Sequence, residues 1–474
     1  MLSVMTLALV AGCATSSQEK PQETAQQAKA RPNIIVIMTD DQDLASMSVM
    51  RNVRRLLADQ GTTFSNAYVS YSWCCPSRAT FLTGQYAHNH KVLSNSSPDG
   101  GYQALPKQTL PMWLTQSGYD TVHIGKYLNG YGRHGSEIPQ GWKDWYGLMG
   151  PSTYSMWGYT LNENGKLRKY GKKKGGKPAN YQTDVLARKA VAYLNRPTTG
   201  KRPFFMWFAP LAPHLEAPWN KKMGDKWGGP RPAPRHRNAY DNAVMWRSPS
   251  FNEKDISDKP RHVRRNKRFG KKKIASIQAE YRNRLESLLA VDEAVAKIYR
   301  AVKRRGQLDR TLFVFTSDNG YMLGQHRFAH QKIHPYEESV RIPLIVRGPG
   351  FPKGRKVRTP VSNVDLPATI LAASGAKPGR RQDGRPLQNF LHGDRKRDIL
   401  LETGPRVRAR WYAALRTDRY LYVEHSGGEK ELYDMYTDPY QLNSRHADPA
   451  LASVRKELAR RLKAVRRCAG ASCP

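Results

Sequence analysis

Near its N-terminus the chain reads Asn-Ile-Ile-Val-Ile-Met-Thr-Asp-Asp, residues 33–41. A continuous apolar run of this length is typical of a strand that is buried on both faces of a sheet. Asp40 and Asp41 follow the run directly. Because open α/β sheets place their sites just beyond the carboxyl ends of strands, this segment indicates both a fold class and the position of a site.

The same pattern recurs along the chain, with helical patterns between the apolar runs. Buried strands are predicted at residues 204–208 and 312–315, and the polar segment 316–320 follows the second. Apolar residues at helical spacing predict helices over residues 47–57 and 281–302. The alternation favours an α/β fold with a large central mixed sheet flanked by helices.

After about residue 375 the pattern changes. Short apolar runs at residues 411–415, 420–423 and 431–433 are joined by turn residues. This spacing predicts an antiparallel meander. We therefore expect a main domain at residues 31–375 and a smaller C-terminal α+β subdomain with an antiparallel sheet at residues 376–474.

Positive charge dominates the composition. The 474 residues carry 78 Lys and Arg against 39 Asp and Glu, a net charge of +39. Because 10% of the residues are aromatic and 39% are hydrophobic, the chain can bury a core, which excludes a disordered polybasic tail. The charge indicates a polyanionic neighbour, and nucleic acid, anionic lipid, a wall polymer and a sulfated or phosphorylated substrate all fit.

The basic residues are clustered. The run at residues 261–273 has the composition of a surface loop, which either steers a polyanion toward a cleft or is simply solvated. The run at residues 455–467 alternates with Leu458, Leu462 and Val465, which predicts a helix with a solvated basic face.

Residues 1–30 have the features of an export signal and a tether. Residues 1–12 are mostly apolar, Cys13 follows, and the next stretch is polar and rich in Gln. This resembles a bacterial lipoprotein signal, in which the cysteine at this place is acylated, so Cys13 is the candidate lipid anchor. No Lys or Arg precedes the apolar run, and a plain secretory signal is the alternative. Either interpretation predicts export, as a bacterial cell-surface or periplasmic lipoprotein or as a secreted protein.

The two cysteines near the C-terminus, Cys468 and Cys473, are close enough in sequence to close a small loop in an oxidising compartment. A metal site is the alternative, but no His or further Cys flanks the pair. We therefore expect a structural disulfide.

The sharpest motif lies at residues 74–84, which read Cys-Cys-Pro-Ser-Arg-Ala-Thr-Phe-Leu-Thr-Gly. Pro76 suits the first turn of a helix and Gly84 its end, so Cys74 is predicted at a helix N-terminus. Free N–H groups and the helix dipole favour a thiolate there, which makes Cys74 a candidate low-pKa nucleophile. The alternatives are an inert buried pair and a disulfide between Cys74 and Cys75, which strains normal disulfide geometry.

This motif resembles the signature of the type I sulfatases, Cys-x-Pro-Ser-Arg followed by Thr-Gly. The resemblance extends from Pro32 into the C-terminal unit. It implies the alkaline-phosphatase-like sulfatase fold, with residues 31–375 as the catalytic domain. It also implies that a formylglycine-generating enzyme oxidises Cys74, and not Cys75, to formylglycine.

Acids follow two of the predicted strands: Asp40 with Asp41, and Asp318 with Asn319. Acids after strands are commonly caps or Asx turns, but two pairs of hard oxygen ligands without soft partners favour calcium or magnesium. The resemblance implies that these four side chains and the oxygen on residue 74, in place of the Cys74 thiol, bind one calcium ion.

The resemblance also assigns the cationic residues. It implies that Arg78 holds the formylglycine hydrate, that Lys126 and Lys332 hold sulfate oxygens, and that His214 donates a proton to the leaving alcohol. Taken singly, each Lys would be a solvated surface charge, and His214 an ordinary loop residue. The motif context gives them their roles.

The base that expels sulfate is left open by the sequence. Many sulfatases carry a His two residues after the lysine that matches Lys126, and this chain has Leu128 there. His123 is not a substitute, because an odd spacing on a strand points it to the opposite face. Three histidines near Lys332 are not distinguished by the sequence: His326, His330 and His334.

Together these features predict a sulfuric ester hydrolase. In the implied reaction a hydroxyl of the hydrated aldehyde at position 74, deprotonated beside calcium with help from Asp318, attacks sulfur while His214 protonates the leaving alcohol. The second hydroxyl then expels sulfate.

Residues 125–129, Gly-Lys-Tyr-Leu-Asn, resemble the N-acetylglucosamine-6-sulfatase branch, so a sulfated sugar or glycosaminoglycan is the expected substrate, with an aryl sulfate still open. The alternatives are a phosphate mono- or diester hydrolase of the alkaline phosphatase superfamily and a non-catalytic polyanion-binding surface protein. No specific nucleic-acid partner is expected.

Overall fold

The computed structural model describes residues 31–133, 135–172, 175–216, 229–392, 396–404 and 411–474. Residues 31–474 form one compact unit, and the predicted division at residue 375 stays a prediction. The predicted signal, tether and Cys13 lie outside the described residues. In the part of the chain that the structure describes, we find no helix with the length and apolarity needed to span a membrane.

The predicted central mixed sheet is present and has ten strands. Its strands are β1 Asn33–Thr39, β2 Thr62–Phe64, β4 Asp120–Gly125, β5 Asp144–Leu148, β6 Tyr159–Glu163, β7 Lys166–Tyr170, β8 Phe204–Ala209, β9 Thr311–Ser317, β10 Leu344–Arg347 and β11 Arg355–Val357. Their order is β11-β2-β10-β9-β1-β8-β4-β5-β6-β7. The five central strands, from β9 to β5, run parallel.

Two smaller sheets and the helices complete the fold. The small sheets contain β3 Ala67–Tyr68 with β12 Val361–Ser362, and β13 Ile399–Glu402, β14 Tyr412–Arg416, β15 Tyr420–His425 and β16 Lys430–Asp434. The α-helices are α1 Arg51–Val53, α2 Cys74–Thr83, α3 Ala87–His90, α4 Leu110–Gln116, α5 Gln182–Leu194, α6 Arg261–Arg264, α7 Lys271–Arg304, α8 Glu337–Val340, α9 Asp365–Ser374 and α10 Ala452–Val465.

Strand β1 is buried on both faces, as its sequence predicts. Ile35 and Ile37 pack into one hydrophobic cluster, which includes residues of α5 and α7. Ile34 and Val36 point to the other side and join residues of α2, α4 and α9. Helices on both faces of a parallel sheet are the layered arrangement that a continuous apolar strand requires.

The parallel strands bring the ends of β1, β4, β8 and β9 to one edge of the sheet. At the end of β4, Gly125 has a φ of 122°, and a Cβ there would lie 2.0 Å from the carbonyl oxygen of Ala209. The glycine therefore permits the chain to turn tightly past β8. Immediately after it, Lys126 donates its backbone N–H to the same carbonyl, at 2.8 Å.

The predicted C-terminal meander is an antiparallel sheet of four strands, β13 to β16. One face packs against α10, whose buried residues Leu458, Leu462 and Val465 match the predicted spacing. The other face packs against the segment after β9, including Phe328 and Tyr336. This sheet therefore supports the loop that carries Lys332.

The predicted disulfide between Cys468 and Cys473 is confirmed. The carbonyl of Cys468 lies 2.8 Å from His88 Nε2 and accepts a hydrogen bond from Asn89 Nδ2. Because both contacts are on α3, directly after the helix that carries Cys74, the C-terminal loop is fixed to the main body.

Two predictions of local structure are wrong in part. Residues 47–57 are a 3₁₀ turn at Ala45–Val49, the short helix α1 and a π turn at Arg54–Ala58, and they do not form one helix. Asp292 of α7 accepts the N–H groups of Asn52 and Val53, so a side chain from another helix starts the new turn. The basic run at residues 261–273 is also not simply a loop, because it contains α6 and the first turn of α7.

Candidate active site

Cys74 is the first residue of α2, at the predicted helix N-terminus. Every residue of this helix is buried, and Gly84 ends it in the left-handed conformation with a φ of 70°. Cys74 and Cys75 are free thiols, so the disulfide between them is absent. The backbone N–H of Cys75 donates to Asn95 Oδ1 at 2.8 Å, which satisfies one of the free donors at the helix start.

Carboxylates and the thiol meet at the edge of the sheet. Asp40 and Asp41 follow β1, and Cys74 Sγ lies 3.7 Å from Asp40 Oδ1. One potential ligand atom from each of Asp40, Asp41, Cys74 and His214 lies within 4.8 Å of the others. These residues come from three separate segments, so the fold, and no local motif, assembles the cluster.

Asp318 and Asn319, from the end of β9, complete the acidic side. Asp318 Oδ1 accepts the backbone N–H of Asp41 at 3.1 Å, and Asn319 Nδ2 donates to Asp41 Oδ1 at 2.6 Å. The structure thus brings together all of the predicted metal-binding residues.

The residues present fit a divalent cation. Asn319 Oδ1 is a buried oxygen that accepts no hydrogen bond. An unsatisfied buried acceptor is costly unless a cation or a water completes it. Three carboxylates and an amide oxygen are a hard donor set, of the kind that calcium and magnesium prefer. Both oxygens of Asp318 accept hydrogen bonds, one from the backbone N–H of Asp41 and one from Arg78 Nε.

Three cations surround the acids. Lys126 Nζ lies 2.5 Å from Asp40 Oδ2. Lys332 Nζ contacts Asp41 Oδ1 and lies 3.0 Å from Cys74 Sγ. Arg78, one helical turn after the cysteine, donates from Nε to Asp318 Oδ2 at 2.8 Å. The predicted cationic residues therefore converge on the thiol.

His214 follows β8 and faces the same cluster. Its Nε2 lies 3.5 Å from Asp41 Oδ2, and its Nδ1 contacts the carbonyl of Leu215 at 2.6 Å. The centroid of the Tyr154 ring lies 4.8 Å from the centroid of the His214 ring and 4.9 Å from Lys126 Nζ. An aromatic side chain thus forms one wall beside both the imidazole and the ammonium group.

Burial and charge act against each other on the acids. Burial raises the pKa of Asp40, but Lys126, His214 and Arg78 outweigh it and hold the pKa below its ordinary value. Burial and the neighbouring Asp40 charge raise the pKa of Asp318 to about 6. Burial lowers the pKa of His214, against the opposing effect of the two carboxylates at residues 40 and 41. The cluster therefore contains groups that hold protons with different strengths.

The thiol of Cys74 is not a low-pKa nucleophile, which corrects that expectation. Burial raises its pKa to about 11, although Lys126 and Lys332 act in the opposite direction. The helix start is enclosed by protein and lies beside Asp40, so desolvation and the nearby negative charge outweigh the dipole. An unmodified Cys74 is a neutral thiol at pH 7.

The other histidines considered are held in structural contacts. His123 is buried against the rings of Trp145 and Trp207, and burial lowers its pKa to about 3. His326 contacts Glu253, His330 contacts Glu280, and His334 packs against the Phe328 ring. Among the residues that the structure describes, His214 is the one histidine grouped with Cys74 and the aspartates.

Sequence analysis missed Arg284, which is buried in the middle of α7. Its guanidinium donates to the backbone carbonyls of Asp41 and Pro213, the second at 3.1 Å, and lies 4.2 Å from the centroid of the Tyr321 ring. It thereby joins the ends of three strands that carry the cluster. The sequence contains a pattern that could have identified it. Arg284 lies three residues after Tyr281 and four before Leu288, so a charged residue occupies the apolar face of the predicted helix.

Tyr154 and Asn129 were also missed. Asn129 donates to the Tyr154 hydroxyl at 2.6 Å and gives its backbone N–H to Cys75 Sγ at 3.1 Å. Asn129 ends the 125–129 stretch quoted above, but the sequence gives it no role. Tyr154 lies in a 3₁₀ turn, Ser152–Tyr154, without a pattern that would single it out.

Comparison with known proteins agrees with this geometry. The model of the sulfatase family matches residues 32–376, and a model described as the N-sulphoglucosamine sulphohydrolase C-terminal region matches residues 324–468. The chain belongs to the sulfatase family, and it is a sulfuric ester hydrolase. The expected alkaline-phosphatase-like α/β fold is confirmed.

Within this family the chain is similar to N-acetylglucosamine-6-sulfatases. It is 32% identical to the goat protein, with 95% of this chain and 86% of the relative covered. It is 36% identical to the human protein over 78% of this chain and 67% of the relative. A solved structure of a protein in complex with its substrate D-glucosamine-2-N,6-O-disulfate is 26% identical, with a TM-score of 0.76, covering 91% of this chain and 97% of that one.

Proposed function

We propose that this sulfatase releases sulfate from the 6-position of a glucosamine-type sugar, with formylglycine at position 74 and a calcium ion held by Asp40, Asp41, Asp318 and Asn319. The single observation that carries the proposal is the convergence of Lys126, Lys332 and His214 on the start of α2. The substrate class rests on the similarity to N-acetylglucosamine-6-sulfatases and to the disulfated-glucosamine complex.

The formylglycine hydrate and the cation supply, when present, a nucleophilic oxygen and neutralisation of sulfate charge. The chain's own residues orient and polarise the ester. Lys332 Nζ lies 3.0 Å from the position 74 side chain, close enough to donate to a sulfate oxygen bound there. Lys126 approaches from the side of Asp40. Two donors on fixed segments hold the ester in one orientation, which lowers the entropic cost of reaction.

His214 serves as the general acid. Because Nδ1 donates to the Leu215 carbonyl, Nε2 is the atom that points to the cluster. Nε2 carries a transferable proton in the imidazolium form, which burial opposes and the carboxylates of Asp41 and Asp40 favour. Proton transfer to the departing alcohol is the step that a group in this position can assist. Arg78, one helical turn after residue 74, donates to Asp318 and places a positive charge beside residue 74.

The proposal extends to maturation and location. A formylglycine-generating enzyme is the partner that the proposed formylglycine at position 74 implies, as in the sulfatase family. Export through residues 1–30, with a lipid anchor on Cys13 where the signal is of the lipoprotein type, is consistent with the disulfide at Cys468 and Cys473.

The test is sulfate release from glucosamine-6-sulfate and 4-nitrophenyl sulfate by protein matured in cells that contain the formylglycine-generating enzyme. Cys74→Ala is expected to abolish turnover. Cys75→Ser is the matched control: it lies beside the nucleophile and keeps an acceptor for the Asn129 N–H, so it should retain activity. A chelator should stop turnover and added calcium restore it.

Phosphate ester hydrolysis is the competing outcome. Phosphatase relatives use Ser or Thr with two transition metals and several His ligands, whereas the cluster here combines a Cys with hard oxygen donors and one His. Faster cleavage of 4-nitrophenyl phosphate than of either sulfate ester, by the same preparation, would contradict the proposal.

A further inference from the structure

Two adjoining cavities extend from the candidate active site along the segment after β4. The smaller is about 40 Å³ and is lined by Lys126 and Tyr154, which also border the cluster around Cys74. The larger is about 290 Å³ and includes Asn95 and Gln103 in its lining. Arg133 lies in the lining of both, together with Asn129 and Gly130.

The larger cavity is close to the nucleophile. Asn95 accepts the backbone N–H of Cys75 at 2.8 Å, so one wall is hydrogen-bonded to the residue next to Cys74. Asn129 lines both cavities and donates its own N–H to Cys75 Sγ. The volume is near the lower end of the range of about 300–1,000 Å³ that small-molecule sites occupy. The two cavities therefore lie beside the start of α2.

The charge of the cavities has one sign. Among the residues that the structure describes, the lining of the two cavities includes the cations Lys126 and Arg133 and no Asp or Glu. The other lining groups are amides, hydroxyls, aromatic rings, apolar side chains and glycines. A concave surface with cations and neutral donors, and without carboxylates, favours an anion that carries hydroxyl groups.

Arg133 is placed to meet such a ligand. Its side chain lies against Gly150, where a Cβ would come within 3.2 Å of Arg133 Cγ and 3.8 Å of Nε. Gly150 thus leaves room for the guanidinium to lie along the cavity wall. Among the described residues, no carboxylate forms an ion pair with Arg133, although Arg196, Arg231 and Arg235 each form at least one. Its charge is therefore not neutralised by a described acid.

We infer that Arg133 is a specificity-determining residue that binds a second anionic group of the substrate, a sulfate or a carboxylate located beyond the ester that is cleaved. The inference rests on the proposed function and narrows its substrate class to sugars that carry at least two anionic groups. The guanidinium suits both groups, because its fork of donors matches planar carboxylate and sulfate oxygens. Lys126 and Lys332 remain with the ester at position 74.

The experiment compares three substrates with one enzyme. Glucosamine-6-sulfate carries a single anion, glucosamine-2-N,6-O-disulfate adds a sulfate on the same ring, and a disaccharide of glucosamine-6-sulfate and a uronic acid adds a carboxylate on the next ring. For Arg133→Gln we expect KM to rise about tenfold or more for at least one doubly charged substrate, because charge-assisted hydrogen bonds are lost. The kcat of Arg133→Gln should stay within twofold of the wild type, and its KM for glucosamine-6-sulfate should not change.

Two further variants sharpen the test. Arg133→Lys keeps the charge without the fork and should show a smaller rise in KM. Arg310→Gln removes an exposed arginine next to β9 and is the matched control, with kinetics equal to the wild type on all three substrates. Arg133 is exposed, so Arg133→Gln should unfold at the wild-type temperature.

Binding is measured separately from turnover, by calorimetric titration of Cys74→Ala protein with the same sugars. If Arg133→Gln raises the Kd of a doubly charged sugar about tenfold and leaves that of glucosamine-6-sulfate unchanged, the inference is supported. Equal kinetics and equal Kd values for all substrates, or an equal loss for all of them, would overturn it. Absence of sulfate release by the wild type would instead refute the proposed function, while the titration would still decide the role of Arg133.

Discussion

Replacing Lys332 by Met removes a cation that contacts both Asp41 and Cys74. The side chain of Lys332 is 13% exposed and that of Asp41 is 2% exposed, so the pair is largely shielded from water. Loss of one donor to a developing charge in such a site costs about 10²–10³-fold in kcat. We expect sulfate release by Lys332→Met to fall by that factor.

The same variant should lose stability. Removing one partner of a buried ion pair lowers the unfolding free energy by about 3–5 kcal/mol. Because Asp41 still has Asn319 at 2.6 Å and His214 at 3.5 Å in the variant, we expect a loss near the lower limit. Initial rates on glucosamine-6-sulfate and urea unfolding monitored by fluorescence measure the two effects. Lys273→Met is the matched control: its ammonium group contacts His330 Nε2 at 2.9 Å, outside the cluster, and should leave kcat unchanged. A Lys332→Met enzyme within threefold of wild type would refute the role given to this residue.

Three other perturbations have definite expected outcomes. Burial raises the pKa of Glu431, but hydrogen bonds and charge from His425 and Tyr433 outweigh it and lower the pKa from 4.5 to about 2. The ionised carboxylate therefore contributes its full share of the folding free energy above pH 4.5, and this share is lost as the pH falls toward 2. Glu431→Gln should flatten the dependence of the unfolding free energy on pH between these values. Replacing Cys468 and Cys473 by Ser opens a short loop and should lower the unfolding free energy by about 2 kcal/mol, measured by urea denaturation. Arg284→Lys cannot reach both the Asp41 and Pro213 carbonyls, and we expect kcat to fall about tenfold or more with little change in KM, whereas an unchanged kcat would show that the two carbonyls need no bridge.

The regular parts of this fold could be predicted from sequence because their patterns are continuous. The apolar run at residues 33–38 required a sheet covered on both faces, and Ile34 and Ile35 pack on opposite sides as expected. The spacing of Leu458, Leu462 and Val465 predicted the helix that the structure shows as α10. Residues 47–57 differ because Asp292, more than two hundred positions away, accepts their N–H groups, and no local pattern contains that contact.

In the candidate site, too, some features could be predicted from sequence and others depend on contacts between distant segments. The residues that follow strands or begin α2 were predicted, and the structure brings Asp40, Asp41, Cys74 and His214 together. The low pKa expected for the thiol was wrong, because the helix-terminus argument leaves out burial, which depends on segments distant in sequence. Tyr154 lies outside every periodic pattern, so only the folded structure places it beside Lys126.

The most direct test of the account is the mass of the tryptic peptide at residues 56–78, which contains both Cys74 and Cys75. Protein purified from cells with the maturation enzyme should yield a peptide about 18 Da lighter than the unmodified form, because an aldehyde replaces one thiol. Fragmentation should place the change at residue 74 and leave an alkylatable thiol at residue 75. Active protein with two intact thiols in this peptide would contradict the account.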